Sequence, residues 1–139
     1  MEYEKKTYKS FVVGMILFGI SFMLPICLMG KISADIIIRM MYLISFSYMA
    51  MLGKVIYKHQ RIYWLSSYTY EMAKKMDPKR RELIAENFMI LTLKVFLIFV
   101  VYCMLATLFR ASFILDTITI ILLIGFACMC KLEEKPKFK

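Results

Sequence analysis

The sequence predicts an all-α integral membrane fold: four transmembrane helices as two antiparallel hairpins, with a cytoplasmic helical segment between helices 2 and 3. Three observations predict it. Apolar residues make up 61% of the 139 residues, above the roughly 45–50% of soluble domains, and so small a soluble domain leaves much of its surface in water. The excess is gathered into four long blocks, each near the ~20 helical residues that cross a ~30 Å hydrocarbon core. The basic residues cluster in three places that four crossings bring to one side of a bilayer. The length predicts a single domain over 1–139. Its spans are expected at about 10–29, 34–57, 86–109 and 112–130, with the cytoplasmic segment at 58–85.

The first block, Ser10–Met29, carries no charge. Backbone groups in lipid must be satisfied within the segment, so the block is expected to be a helix; the alternating pattern of a membrane β-barrel is absent. It exceeds the ~7–15 apolar residues of a signal peptide and no small-residue cleavage site follows, so it is expected to remain in the chain. Pro25 removes a backbone bond near its far end and predicts a kink. A turn over residues 30–34 follows, with Ser33 placed to cap the second helix. The second block, Ile36–Tyr57, is broken only by Arg39 and Lys54.

In the middle segment, Tyr63 and Trp64 suit a membrane–water interface and are the expected interfacial anchors. Tyr70–Met76 is expected to form a short helix capped by Thr69 or Ser67. It would lie on the inner leaflet, with Tyr70 and Met72 dipping into lipid. Asp77-Pro78 is a strong helix start and predicts one long helix from Pro78 to about Phe109, its first turns kept in water by Arg80, Arg81, Glu82 and Glu86. The third block, Phe88–Phe109, is broken only by Lys94, and the fourth, Ser112–Cys130, only by Asp116. The two remaining turns resemble each other, Lys31-Ile-Ser33 and Arg110-Ala-Ser112.

The net charge is +9. Lys5, Lys6 and Lys9 precede the first span. Lys54, Lys58, Arg61, Lys74, Lys75, Lys79, Arg80 and Arg81 lie in and beside the middle segment, and Lys131, Lys135, Lys137 and Lys139 follow the last span. The positive-inside rule makes that side cytoplasmic, which predicts a multi-pass protein of the cell membrane with both termini inside. Lys74, Lys75, Lys79, Arg80 and Arg81 are the expected contacts for anionic lipid at the inner leaflet, and Lys94 is expected to snorkel towards the same headgroups. With two spans adjoining these charges, lipid and not nucleic acid is the expected partner.

Charges inside spans are the strongest pointers to a site, because Arg or Asp at a helix centre costs about 2.5–3.5 kcal/mol on insertion scales. Asp35, Arg39 and Tyr42 are spaced i, i+4, i+7 on helix 2, and Ser112, Asp116 and Thr119 share that spacing on helix 4. Each set therefore occupies one helix face. Counting from Ser33 and Ser112, Arg39 lies ~9 Å and Asp116 ~6 Å into the membrane at 1.5 Å per residue. The two are expected to pair. Such a pair either fixes helix register or lines a polar vestibule for an ion or small polar solute.

Cys27, Cys103, Cys128 and Cys130 fall in or beside spans and are expected to pack as small apolar groups. Two residues apart on a helix, Cys128 and Cys130 point ~200° apart and cannot chelate one ion. No HExxH, Walker or GxSxG pattern occurs, so neither enzyme nor cofactor is expected. The leading functional expectation is a non-enzymatic accessory or assembly subunit, packed with a membrane partner or with copies of itself. The alternative is a small oligomeric channel or transporter using the polar stripes of helices 2 and 4.

Overall fold

The structure, a computed structural model, describes residues 6–130 and Leu132. Lys5, Lys131, Lys135, Lys137 and Lys139 lie outside the described residues. The elements run α1 (Lys9–Ser21), α2 (Met23–Cys27), α3 (Ala34–His59), a 3-10 turn (Ile62–Trp64), α4 (Tyr70–Lys75), α5 (Pro78–Leu108) and α6 (Phe113–Met129). Three stretches, Lys9–Cys27, α3 and α5, are long and apolar enough to cross a membrane, and α6 adds a shorter apolar helix. By length and composition this describes a multi-pass membrane protein.

The first helix is broken rather than continuous. Phe22 separates α1 from α2, three residues before Pro25. Proline has no N–H to donate to the carbonyl four residues back, and its ring crowds that carbonyl; here the carbonyl belongs to Ser21. The Ser21 hydroxyl turns back to the Leu17 carbonyl at 2.8 Å. Beyond α2 the chain leaves the helix before Met29 and turns through Gly30, whose φ of 84° suits a residue without Cβ.

Both long helices end alike. Gln60 takes φ 50° after α3, and the Arg61 N–H reaches the Ile56 carbonyl at 3.1 Å; Arg110 takes φ 51° after α5, and the Ala111 N–H reaches the Ala106 carbonyl at 2.8 Å. This is the Schellman arrangement, which satisfies carbonyls that have run out of helical partners. Thr69 caps α4, accepting from the Met72 N–H at 3.2 Å. Ser33, Asp77 and Ser112 hold the N-cap positions of their helices without a side-chain capping bond. At Asp77 the start therefore rests on the fixed φ of Pro78.

α3 and α5 pack against each other along their length and form the centre. Gly53 permits their closest approach: a Cβ there would meet Thr92 Oγ1 and stand 3.1 Å from Met89 Cα. α1 and α2 lie on α3, while α6 lies on α5. One buried cluster joins Phe99, Cys103 and Ile120 with Tyr42, Leu43 and Phe46. A second, at the opposite end, joins Ile56, Ile62, Tyr63, Ala73, Ile84 and Ala85. Outside these clusters the flanking helices turn large side chains outward, Ile16 and Ile20 on α1 and Leu122 and Phe126 on α6 among them.

The segment between α3 and α5 folds against the protein, and this corrects three expectations. Tyr63 is no lipid-facing anchor but is buried, 5% exposed. Its hydroxyl accepts from the Thr7 N–H at 3.2 Å and donates to the Thr7 carbonyl at 3.1 Å. Trp64, half-buried, donates its indole N–H to the same carbonyl at 3.2 Å and packs on Phe11. Buried Tyr and Trp rings find a hydrogen-bond partner for their polar tips, here the Thr7 backbone. Tyr70 packs edge-on against Tyr63 at 5.3 Å rather than dipping away from the chain. Arg81 is 6% exposed, donating to the Ala73 carbonyl at 2.9 Å and to Gln60 Oε1 at 3.1 Å. It ties the start of α5 to α4 and the end of α3, so it leaves the set of headgroup contacts. Lys74, Lys75, Lys79, Arg80 and Lys94 are exposed.

Candidate functional site

Arg39 and Asp116 meet where the first halves of α3 and α6 face the last turns of α5. Arg39 lies on the second turn of α3 and Asp116 on the first turn of α6. Arg39 Nε donates to Asp116 Oδ2 at 3.0 Å across 77 positions of sequence. The guanidinium spreads its other donors over Thr107 Oγ1, at 3.4 Å, and the Ala111 carbonyl. The second carboxylate oxygen, Oδ1, accepts from the Tyr102 hydroxyl at 2.6 Å. Arg39 is 4% exposed and Asp116 fully buried.

Each contact has a structural reason. The α5–α6 connection is short, so the two helices run antiparallel, and Asp116 returns to the depth of Tyr102. The Schellman end of α5 turns the chain at Arg110 and leaves the Ala111 carbonyl near Arg39. An isolated charge in a low-dielectric interior is very costly, while a neutralised and hydrogen-bonded pair is tolerated. Here one network neutralises both charges and joins three helices.

The other expected stripe residues have different fates. Tyr42 packs edge-on against Phe99 at 6.3 Å and belongs to the apolar cluster below the pair. Thr119 stands beside the Tyr102 hydroxyl, on the rim of the network. Asp35, half-buried one turn before Arg39, and Ser112, exposed at the start of α6, stay outside it. Tyr102 and Thr107 were missed from sequence. A signal existed for Tyr102: in a hairpin folded about position 109, positions 102 and 116 share one depth. Among the described residues, no group of three or more His, Cys, Asp or Glu is placed to hold a metal ion.

The arrangement can hold three helices at one level and stabilise a buried charge pair. Its hydrogen-bonding groups point at one another rather than into an open space, which is the geometry of a clamp. Comparison with protein-family models, curated proteins and solved structures finds no match to this chain.

Proposed function

We propose that this chain is a four-span protein of the cell membrane that serves, without catalysis, as an accessory or assembly subunit of a membrane complex. In this reading the two hairpins are α1–α2 with α3 and α5 with α6, and the middle segment and both termini are cytoplasmic. The charge distribution supports that orientation. Two contacts agree with it: the Thr7 bonds to Tyr63 and Trp64, and the bond from Asn87 to the Leu132 carbonyl at 2.7 Å, hold the start of α1 and the chain after α6 beside the middle segment. At 17 residues α6 is at the short end of what crosses hydrocarbon.

The observation that carries the functional reading is the fate of the intramembrane charges. Arg39 and Asp116 are buried and engaged by Tyr102, Thr107 and Ala111, so they hold helices together instead of presenting themselves to a solute. The faces left over are apolar, on α1 and α6, and match a partner helix or lipid.

The mass of the intact species extracted in a mild detergent tests the proposal. A complex with a second membrane protein, or with further copies of this chain, is expected. Ion conduction by this chain alone in liposomes, lost in a folded Arg39→Ala variant, would overturn it in favour of a polar vestibule.

A further inference from the structure

We propose that a cavity between α3, α5 and the second half of α6 holds one acyl chain of an anionic glycerophospholipid from the cytoplasmic leaflet. The cavity measures about 750 Å³, within the ~300–1,000 Å³ of ligand pockets. Tyr42 and Ile120 line it near the Arg39–Asp116 junction, and Ser67, Tyr68 and Cys130 line it near the middle segment.

Its chemistry selects the occupant. The cavity is a groove rather than an enclosed void, and an occupant would cover its apolar wall. Water is a poor filler because it needs roughly two to four polar partners. Two hydroxyls on the walls are already engaged: Ser45 donates to the Met41 carbonyl at 3.0 Å, and Thr92 to the Phe88 and Met89 carbonyls, each at 3.0 Å. Most of the wall is apolar, with Phe46, Leu91, Val95 and Leu123 contributing. Met49, Ile124 and Cys128 line the cavity and are also exposed, so it opens sideways to the surroundings of the helices.

Its length and its ends select the class. Along α3 it runs from Tyr42 to Met49 and along α6 from Ile120 to Cys128, about 10 and 12 Å at the helical rise. Half of a ~30 Å hydrocarbon core is ~15 Å, so the cavity fits within one leaflet and stops below the buried charge pair. A spanning helix from a partner needs a groove through both leaflets; an acyl chain does not. Ser67 and Tyr68 line the end nearer the middle segment, which exposes Lys58, Lys74, Lys75, Lys79 and Arg80. That charge complements a phosphodiester headgroup with net negative charge.

The proposal rests on the four-span placement, and the test separates the two. The full chain is reconstituted in vesicles of phosphatidylglycerol and phosphatidylcholine, extracted gently, and weighed by native mass spectrometry. One phosphatidylglycerol is expected to stay on each chain. Ala127→Trp, which adds bulk to the cavity wall, is expected to weaken retention about tenfold, equivalent to about 1.4 kcal/mol. A second readout needs no substitution: added phosphatidylglycerol should slow maleimide reaction at Cys128 and leave Cys27, exposed on α2 and off the cavity, unchanged. Three results would overturn the lipid site: no retained lipid, a second chain in its place, or equal labelling of the two cysteines with and without lipid. If those appear while carbonate washing leaves the protein in membranes, the lipid site alone has failed. Release by carbonate would remove the placement as well.

Discussion

At Asp116 the two carboxylate oxygens have different partners, Arg39 on one and Tyr102 on the other, and the difference can be measured. Replacing Asp116 with Leu leaves the Arg39 guanidinium buried beside only Thr107 and Ala111, a loss of about 3–5 kcal/mol. Adding Arg39→Leu should restore most of it, because the unpaired charge is gone. Thermal unfolding in detergent of the two single variants and the double variant checks this; simple additivity of the losses would mean the residues act separately. Tyr102→Phe removes one hydrogen bond to a carboxylate and should cost about 1.5–3 kcal/mol. The nearness of Arg39 and Asp116 was legible because both depths could be counted from the turns that precede them. Thr107 was not legible, since an uncharged hydroxyl barely disturbs hydropathy and satisfies itself easily in a helix. Arg81 and Tyr63 misled for a different reason. Their composition suited an interface, but their partners, Ala73, Gln60 and Thr7, come from tertiary folding.

Among the elements, the α3–α5 contact depends on the absence of a side chain at Gly53. Gly53→Leu should weaken the pair by about 1–3 kcal/mol, in the range of overpacked interiors. Adding Thr92→Ala should recover only part, because the Met89 backbone stands in the way as well. Detergent unfolding of the single and double variants reads this. The caps give a contrast within the middle segment. Thr69→Ala should loosen α4 by about 1 kcal/mol, whereas Asp77→Ala should leave the start of α5 nearly unchanged, since its side chain makes no capping bond. Amide exchange over residues 70–75 and 79–83 distinguishes them. Helix positions were readable because continuous apolar runs and Asp-Pro punctuation are local signals. The break at Phe22 was less so: proline disturbs the turn before it, and its own position only points towards the affected bond. The close approach at Gly53 needed knowledge of which helix lies opposite, and hydropathy is silent on that.

Across the whole molecule, orientation can be read from cysteines already present. Cys27 ends α2, and Cys130 follows α6 at the other end. In intact cells an impermeant maleimide should reach Cys27 and leave Cys130 unlabelled until the membrane is opened; the reverse pattern would turn the protein over. The helical architecture was largely legible in the sequence, whereas the folding of residues 60–77 onto the start of α1 was not, because long-range partners leave no local periodicity. The span between Arg39 and Asp116 also sets a problem of timing. A ribosome adds about 5–20 residues per second, and 77 residues separate the two, so the arginine is made several seconds before its counter-ion exists. During that interval α3 must tolerate an unmatched cation or wait at the insertion machinery. A chain truncated between those codons would keep Arg39 without its counter-ion and bear the cost of an unpaired buried charge.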